Sequence, residues 1–347
     1  MKVKLEDVCE RGSSNLKQSD VEGKNGDYAV YGASGYIGSV DFYHQELPYV
    51  AVVKDGAGIG RTVLLPAKSS VIGTMQYLLP KRNVLPEYLG YVVRYMHLEK
   101  YFSGATIPHI YFRDYKNEEF NLVPADRQKE IVATLEKLEA IVSARRQQLQ
   151  KLDELVKSRF IELFGDIVLN PFGWEKDYLG VVCDVRDGTH DSPHYHSTGF
   201  PLVTSKNVTG GEIDLTDCSL ISEADFNKIN ERSKVNMGDI IMPMIGTVGK
   251  PVIVNVEPNF AIKNVSLIKF KDDSRVLNTF VRSLLQSDYF DDAVLSKVRG
   301  GTQKFISLGD IRKLAVIVPP MELQEQFAAF VEQTDKSKLC GRMEVAA

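Results

Sequence analysis

Basic side chains beside paired glycines are the groups in this sequence best suited to chemistry with an anion. Lys297, Arg299 and Lys304 bracket Gly300-Gly301-Thr302-Gln303. Glycine lets backbone N–H groups approach a phosphate closely, and Thr302 or Gln303 can hydrogen-bond a phosphate or a base edge. Taken alone, Gly-Gly with nearby lysine is usually a solvated turn. Its echo as Gly104-Ala105-Thr106 is what gives the DNA-contact reading its weight. By the same reasoning Lys54, Arg61, Thr106 and His109 are candidates early in the chain, and His190, Lys206, Lys250, Lys263, Arg299, Gly300, Thr302 and Lys304 later. The loop Asp187–His196 holds three of the six histidines. A metal on His190, His194 and His196 would need a fixed geometry that this spacing does not ensure. A surface turn or DNA-contacting loop is therefore preferred, and no metal is expected.

Motifs that would make the chain an enzyme are incomplete. Asp55-Gly56-Ala57-Gly58-Ile59-Gly60 is glycine-rich, but no capped helix follows it as a dinucleotide site requires. Gly249-Lys250-Pro251 lacks the Ser or Thr of a phosphate-binding loop. Asn170-Pro171-Phe172 lacks the second proline of an amino-methyltransferase motif. No GxSxG or HExxH occurs. No catalytic residue is expected, and no cofactor on this chain.

The elements that must position the basic loops occur twice. Leu5-Glu6-Asp7-Val8-Cys9 is echoed by Leu179-Gly180-Val181-Val182-Cys183, and Gly58–Val63 by Thr247–Val252 with Gly60 on Gly249. Asn83–Leu89 is echoed by Arg275–Val281, Ser103–Thr106 by Arg299–Thr302, and Asn121–Pro124 by Ile317–Pro320. The displacement drifts between roughly 175 and 195 residues, as expected where loops vary and elements persist. In each copy two strand-like segments, Tyr49–Val53 with Thr62–Leu65 and Gly238–Met242 with Pro251–Val254, flank a glycine-rich turn. Helical patterns run near Glu87–Phe102 and Leu277–Val298. The expected class is α+β: two similar domains, each a twisted, mostly antiparallel sheet with helices.

Between the copies, residues 124–164 read as one long helix with Pro124 near its start, Asp126 as N-cap and Gly165 as its stop. Ile131, Leu135, Leu138, Val142, Arg145, Leu149, Leu152, Val156, Arg159 and Leu163 alternate four and three apart, the coiled-coil period. Some 40 residues at about 1.5 Å each make a rigid spacer of about 60 Å. Such a seam needs a partner helix, and Met321 to about Lys336 offers Leu323, Phe327, Phe330 and Thr334 in register. That second helix reads as shortened, since no heptad continues through LCGRMEVAA, which leaves part of the seam free to pair with another chain. The expected division is 1–122 and 167–318 for the domains, 123–166 for the spacer, and 319–347 for the shortened second helix and tail.

A chain of 347 residues, 44% hydrophobic, has apolar material for two cores. It has no apolar run long enough to span a membrane and no signal-peptide pattern at MKVKLEDVCERG, so a cytoplasmic location is the expectation. Cys9, Cys183, Cys218 and Cys340 form no CxxC pair, which argues against a zinc finger. A net charge of −4 argues against coating DNA by charge alone, so a DNA-binding chain must concentrate its Lys and Arg or borrow affinity from a basic partner.

Taken together, these segments resemble the specificity subunits of type I restriction-modification systems. The resemblance covers the chain to about Lys338. It rests on the two-copy plan, on Val123-Pro124…Gln128 and Pro319-Pro320…Gln324 leading into each helix, and on Arg159–Asp166 followed by Asn170-Pro171-Phe172-Gly173-Trp174. Asp187-Gly188-Thr189-His190 and Arg299-Gly300-Gly301-Thr302 are similar to pieces of that family's target recognition domains. The resemblance implies that each domain reads one half of a split duplex target. It implies that the spacer sets the gap and docks two methyltransferase subunits through its faces, here Ile131, Leu135, Leu138, Val142, Leu149, Leu152 and Val156 with Phe327 and Phe330 of the second helix. S-adenosylmethionine, ATP and magnesium would sit on the partners, and restriction subunits would join them. Two other readings stand beside this one: a coiled-coil scaffold that binds protein without DNA specificity, and a small-molecule enzyme with a Gly-rich cleft.

Overall fold

The computed structural model describes residues 1–104, 107–245, 248–297 and 305–346, except the side chains of 340–346. The chain divides into two compact units, Met1–Ser143 and Ala144–Ala347.

The first unit runs β1 (Lys2–Lys4), α1 (Leu5–Val8), β2 (Cys9–Ser13), β3 (Tyr28–Gly32), β4 (Gly35–Val40), β5 (Tyr49–Val53), β6 (Thr62–Leu65), β7 (Ser70–Val71), β8 (Met75–Pro80), α2 (Pro86–Tyr95), α3 (Phe112–Tyr115), β9 (Glu119–Asn121) and the first half of α4 (Ala125–Phe164). Four strands pair antiparallel in the order β2-β8-β5-β6, and a second sheet has the order β4-β3-β7 with β3 and β7 parallel. All five residues of β5 are buried. Strand side chains alternate faces, so Val50 and Val52 join Leu89 and Val93 of α2 in one core cluster, while Tyr49, Ala51 and Val53 join Val71 and Tyr77 in another.

The second unit repeats the plan. It runs β10 (Glu175–Tyr178), α5 (Leu179–Val182), β11 (Asp184–Asp187), β12 (Phe200–Val203), β13 (Val208–Thr209), β14 (Glu212–Ile213), β15 (Ser219–Ile221), α6 (Glu223–Ser233), β16 (Ile240–Pro243), β17 (Val252–Ile253), β18 (Ala261–Ile262), β19 (Val265–Lys269), α7 (Asn278–Leu285), α8 (Asp288–Ala293), α9 (Leu308–Arg312), β20 (Ala315–Val318) and α10 (Met321–Ala346). Its sheets run β11-β19-β16-β17 and β15-β12-β18, each strand taking the place of its counterpart. Ile240 and Met242 point to the helix-side cluster and Ile241 to the opposite one, the same alternation. The expected α+β class and antiparallel preference are observed, and each unit also has a parallel strand pair.

Several sequence expectations are adjusted. The run 87–102 is not one helix: α2 ends at Tyr95, and His97 turns left-handed (φ 51) before a 3-10 turn, Leu98–Tyr101. The run 277–298 is three pieces, because Ser287 is extended (φ −88, ψ 158) and restarts the chain as α8. Asp126 lies inside the first turn of α4 and not at its N-cap. The second long helix continues to Ala346 instead of stopping near Lys336, through residues that are mostly good helix formers. The stop at Gly165 is as expected, with φ +76 and its N–H donating to Ile161.

Along α4 the heptad positions Ile131, Leu135, Val142, Leu149, Leu152 and Val156 are half-buried, while Leu138 is 52% exposed. The most deeply buried apolar residues of α4 lie off the heptad. Val132 packs into the first unit's core, and Phe160 and Phe164 into the second's. Phe160 and Phe164 sit against Phe280 of α7 and Phe327 of α10 with ring centroids 4.9–5.5 Å apart. Arg159 lies over Phe330, and Lys338 of α10 pairs with Asp153 at 2.8 Å.

Candidate nucleic-acid interface

Strand register decides where the basic loops emerge. In the first unit Gln76 pairs with both Ser13 and Val52, and Met75 pairs with Val53. The end of β2, the end of β5 and the start of β8 therefore lie at one end of the sheet. The turn 54–61 leaves from that end, and Ile110 donates to the Lys54 carbonyl at 2.9 Å, bringing the segment after Ser103-Gly104 against it. In the second unit Ser266 pairs with both Asp187 and Met242, so the loops after β11, before β19 and between β16 and β17 share one end. Ile306 donates to Met244 at 2.9 Å, the counterpart of the Ile110 contact.

The structure thus brings Lys54, Arg61 and His109 together in one unit, and His190, Lys250 and Lys263 to one sheet end in the other. Lys206 lies exposed in the 3-10 turn Ser205–Asn207 that follows β12. Thr106, Arg299, Gly300, Thr302 and Lys304 lie outside the described residues.

The long-range polar partners at these ends were not visible in the sequence. Asp55 accepts from Lys54 Nζ and from His109 Nδ1, both at 2.6 Å. Partial burial pushes the Asp55 carboxyl up, but the hydrogen bonds from Lys54 and His109 outweigh it and hold the group below the usual range. Arg61 is exposed and donates through Nη1 to the Ala33 carbonyl at the β3–β4 turn, 3.0 Å away.

In the second unit both ring nitrogens of His190 face oxygen, Asn264 Oδ1 at 2.9 Å and Asp187 Oδ2 at 3.0 Å. Only the imidazolium donates from both nitrogens, and the Asn264 and Asp187 hydrogen bonds raise its pKa above 6.5. Asp187 also accepts from Arg232, and Lys263 donates to Ser192 Oγ at 2.7 Å. Gly188 has a steric reason to be there: a Cβ would lie 2.5 Å from the Ile262 carbonyl oxygen. Among the described residues no group of three His, Cys, Asp or Glu side chains could hold a metal. Cys9, Cys183 and Cys218 are unpaired, and burial pushes the Cys9 and Cys183 thiols up to about 12.

The other end of each sheet carries the helix junction. β8 starts among the loops and runs away from them to Pro80, beyond which lies a buried glutamine of the long helix. Gln128 accepts from Leu85 N–H at 2.9 Å and donates to the Asn83 and Val123 carbonyls, both at 2.9 Å. Gln324 makes the same three bonds: it accepts from Leu277 N–H at 2.8 Å and donates to Arg275 at 3.0 Å and Pro319 at 2.8 Å. Both glutamines are fully buried. The segment Asn170–Trp174, faintly methyltransferase-like in sequence, is a latch on the end of α4: Asn170 bonds both main-chain groups of Trp174, whose Nε1–H donates to the Phe164 carbonyl at 3.0 Å. Among the described residues no helix is long and apolar enough to cross a membrane.

Comparison with known proteins gives the same two-part division. The family described as the type I restriction modification DNA specificity domain matches residues 1–154 and again 171–340. The MjaIX type I restriction enzyme specificity subunit of Methanocaldococcus jannaschii is 24% identical over 282 residues, 74% of this chain and 63% of that protein. The EcoBI specificity subunit of Escherichia coli is 21% identical over 258 residues, 67% of this chain and 54% of that one. The chain thus spans between about half and two thirds of the length of these relatives. A crystal structure of a type I restriction-modification system S subunit from M. genitalium aligns over 100% of this chain and 92% of its own, with a TM-score of 0.62 at 15% identity, and so shares its fold. With both copies matched over most of its length, the chain belongs to the family of type I restriction modification DNA specificity domains.

Proposed function

We propose that this chain is the non-catalytic, sequence-reading subunit of a type I restriction-modification assembly, each unit reading one half of a split duplex target. The observation that carries the reading is the repetition itself: two units of one strand order, each gathering basic loops at one sheet end and fastening a long helix at the other. One reader used twice on a spacer suits two half-sites on one face of DNA, which recur about every 34 Å. DNA contacts come from Lys54, Arg61 and His109 in the first unit and His190, Lys206, Lys250 and Lys263 in the second, joined by Thr106, Arg299, Gly300, Thr302 and Lys304. The half-buried heptad of α4 and the exposed Leu138 form the docking face for two methyltransferase subunits, which bring S-adenosylmethionine. Restriction subunits bring ATP and magnesium, and the assembly works in the cytoplasm. Base methylation requires flipping the base out of the stack, a step for the methyltransferase.

The test is methylome sequencing of cells expressing this chain with its neighbouring methyltransferase against cells lacking it. A new split motif is expected. A single or palindromic half-motif would instead mean one unit reading alone, or a dimer through α4. No new motif, with no sequence-selective binding by the assembled complex, would favour the protein scaffold.

A further inference from the structure

The two units differ most in the connection between the first two strands of the smaller sheet. In the first unit β3 and β4 form a ribbon joined by Ala33-Ser34, and residues 28–40, YAVYGASGYIGSV, contain no charged side chain at all. In a chain with 46 Asp and Glu against 42 Lys and Arg, that is a stretch phosphates can approach without repulsion. The equivalent connection in the second unit, between β12 and β15, carries Lys206 together with three acidic residues, Glu212, Asp214 and Asp217.

The ribbon tip lies among the loops. Ile72 donates to Tyr31 at 3.0 Å, just before β8 begins, and Arg61 of the β5–β6 turn donates to Ala33. β4 is the edge strand and starts exposed. Tyr36, at its second position, is 62% exposed, with its hydroxyl on Ser39 Oγ at 2.8 Å and its ring edge-on to Tyr31. The neighbouring cations are differently placed. Lys54 and His109 are both paired with Asp55, whose carboxylate offsets part of the charge they present to DNA. Arg61 has a backbone carbonyl as its partner, which orients the guanidinium, and its other N–H groups meet no acceptor among the described residues.

We propose that Arg61, held to the ribbon turn by the Ala33 carbonyl, and Tyr36, at the start of β4 just beyond that turn, are the base-reading pair of the first unit. The uncharged ribbon enters the major groove, which admits a two-stranded β-ribbon. Arg61 donates to acceptors on a base edge, guanine being the base that presents two, and Tyr36 makes the apolar contact beside it. Lys54 and His109 contact phosphate. The second unit reads its half without such a pair. The proposal rests on the functional reading above.

The experiment uses the full chain assembled with its methyltransferase subunits on duplexes carrying the methylome-defined motif, each base pair of either half substituted in turn, with binding followed by fluorescence anisotropy. Wild type should discriminate about tenfold or more at each specified position. Arg61→Ala and Tyr36→Ala should collapse that discrimination at one or two adjacent positions of one half and leave the other half as in wild type. Lys54→Ala should weaken binding to every duplex alike. Arg61→Lys keeps the charge and loses the fork, so it should retain affinity and lose discrimination, and it decides the matter if Arg61→Ala melts early. Unchanged discrimination in Arg61→Lys and Tyr36→Ala overturns the proposal. So does equal weakening on all duplexes, the signature of a phosphate contact. If wild type itself fails to discriminate, the functional reading falls first.

Discussion

The two halves of α4 meet their units by different means, although the units share one plan. In the first unit the helix contributes Val132 and the half-buried Ile131 to the core, and its Glu139 accepts from Tyr91 and Arg94 at the surface. In the second, Phe160 and Phe164 are interleaved with Phe280 and Phe327, and a second long helix, α10, packs alongside. The glutamine clasp is the same in both. Hydrogen-bond direction thus repeats where hydrophobic content does not: the clasp fixes the path of each long helix, and the aromatic cluster adds burial where two helices converge on one sheet.

Core truncation should separate the halves most. Phe164→Ala should cost the second unit about 3–5 kcal/mol, whereas Val132→Ala should cost the first at most about 1.5–3 kcal/mol. Denaturant unfolding with a probe in each unit reads the difference, and equal losses would contradict it. The clasps should behave alike. Gln128→Leu and Gln324→Leu each leave a part-buried N–H and two carbonyls without their glutamine partner, at a cost of up to about 3 kcal/mol. Hydrogen exchange at the Leu85 and Leu277 amides should accelerate in the matching variant only. On the exposed face of the first half, Leu138→Ser should shift folding stability by no more than about 0.5 kcal/mol. Under the proposed function it should still weaken methyltransferase assembly, and normal assembly by size-exclusion chromatography would remove Leu138 from the docking face.

The smallest effect is a titration. The bonds to Asn264 and Asp187 raise the His190 pKa, so whatever stability this contact contributes is complete below about pH 6.5 and is lost as pH rises through the higher folded value. NMR should place the His190 midpoint above 6.5, and Asn264→Ala should move it back down. An unmoved midpoint would mean that Asn264 does not set it.

Much of the frame was legible because it rests on local periodicity. The 4-3 spacing of apolar residues marked α4 as one long helix and Pro124 placed its start to within a residue, and Tyr49–Val53 and Thr62–Leu65 are strands as the pattern of β-branched residues required. Breaks within helical runs were not legible. A left-handed His97 (φ 51) and an extended Ser287 (φ −88, ψ 158) are changes of backbone conformation at single residues, which apolar periodicity does not encode. Gln128 and Gln324 could be noted as a repeated signature, but their three-bond role depends on carbonyls more than 40 residues away in sequence. The loop cations could be named from type and glycine context. The pairings of His109 with Asp55 and of His190 with Asn264 could not, since 54 and 74 residues separate the partners and only the fold brings them into reach.

Because the clasp and the loops occupy opposite ends of one sheet, with a buried strand between them, the two ends answer to different constraints. Loop residues at the turn 54–61 or after β11 can be rewritten without touching a hydrogen bond that holds a long helix. Each unit is in that respect an exchangeable cassette. Its loop end is free to drift, and its mounting is confined to a glutamine, the carbonyls it meets and the strand that leads to them.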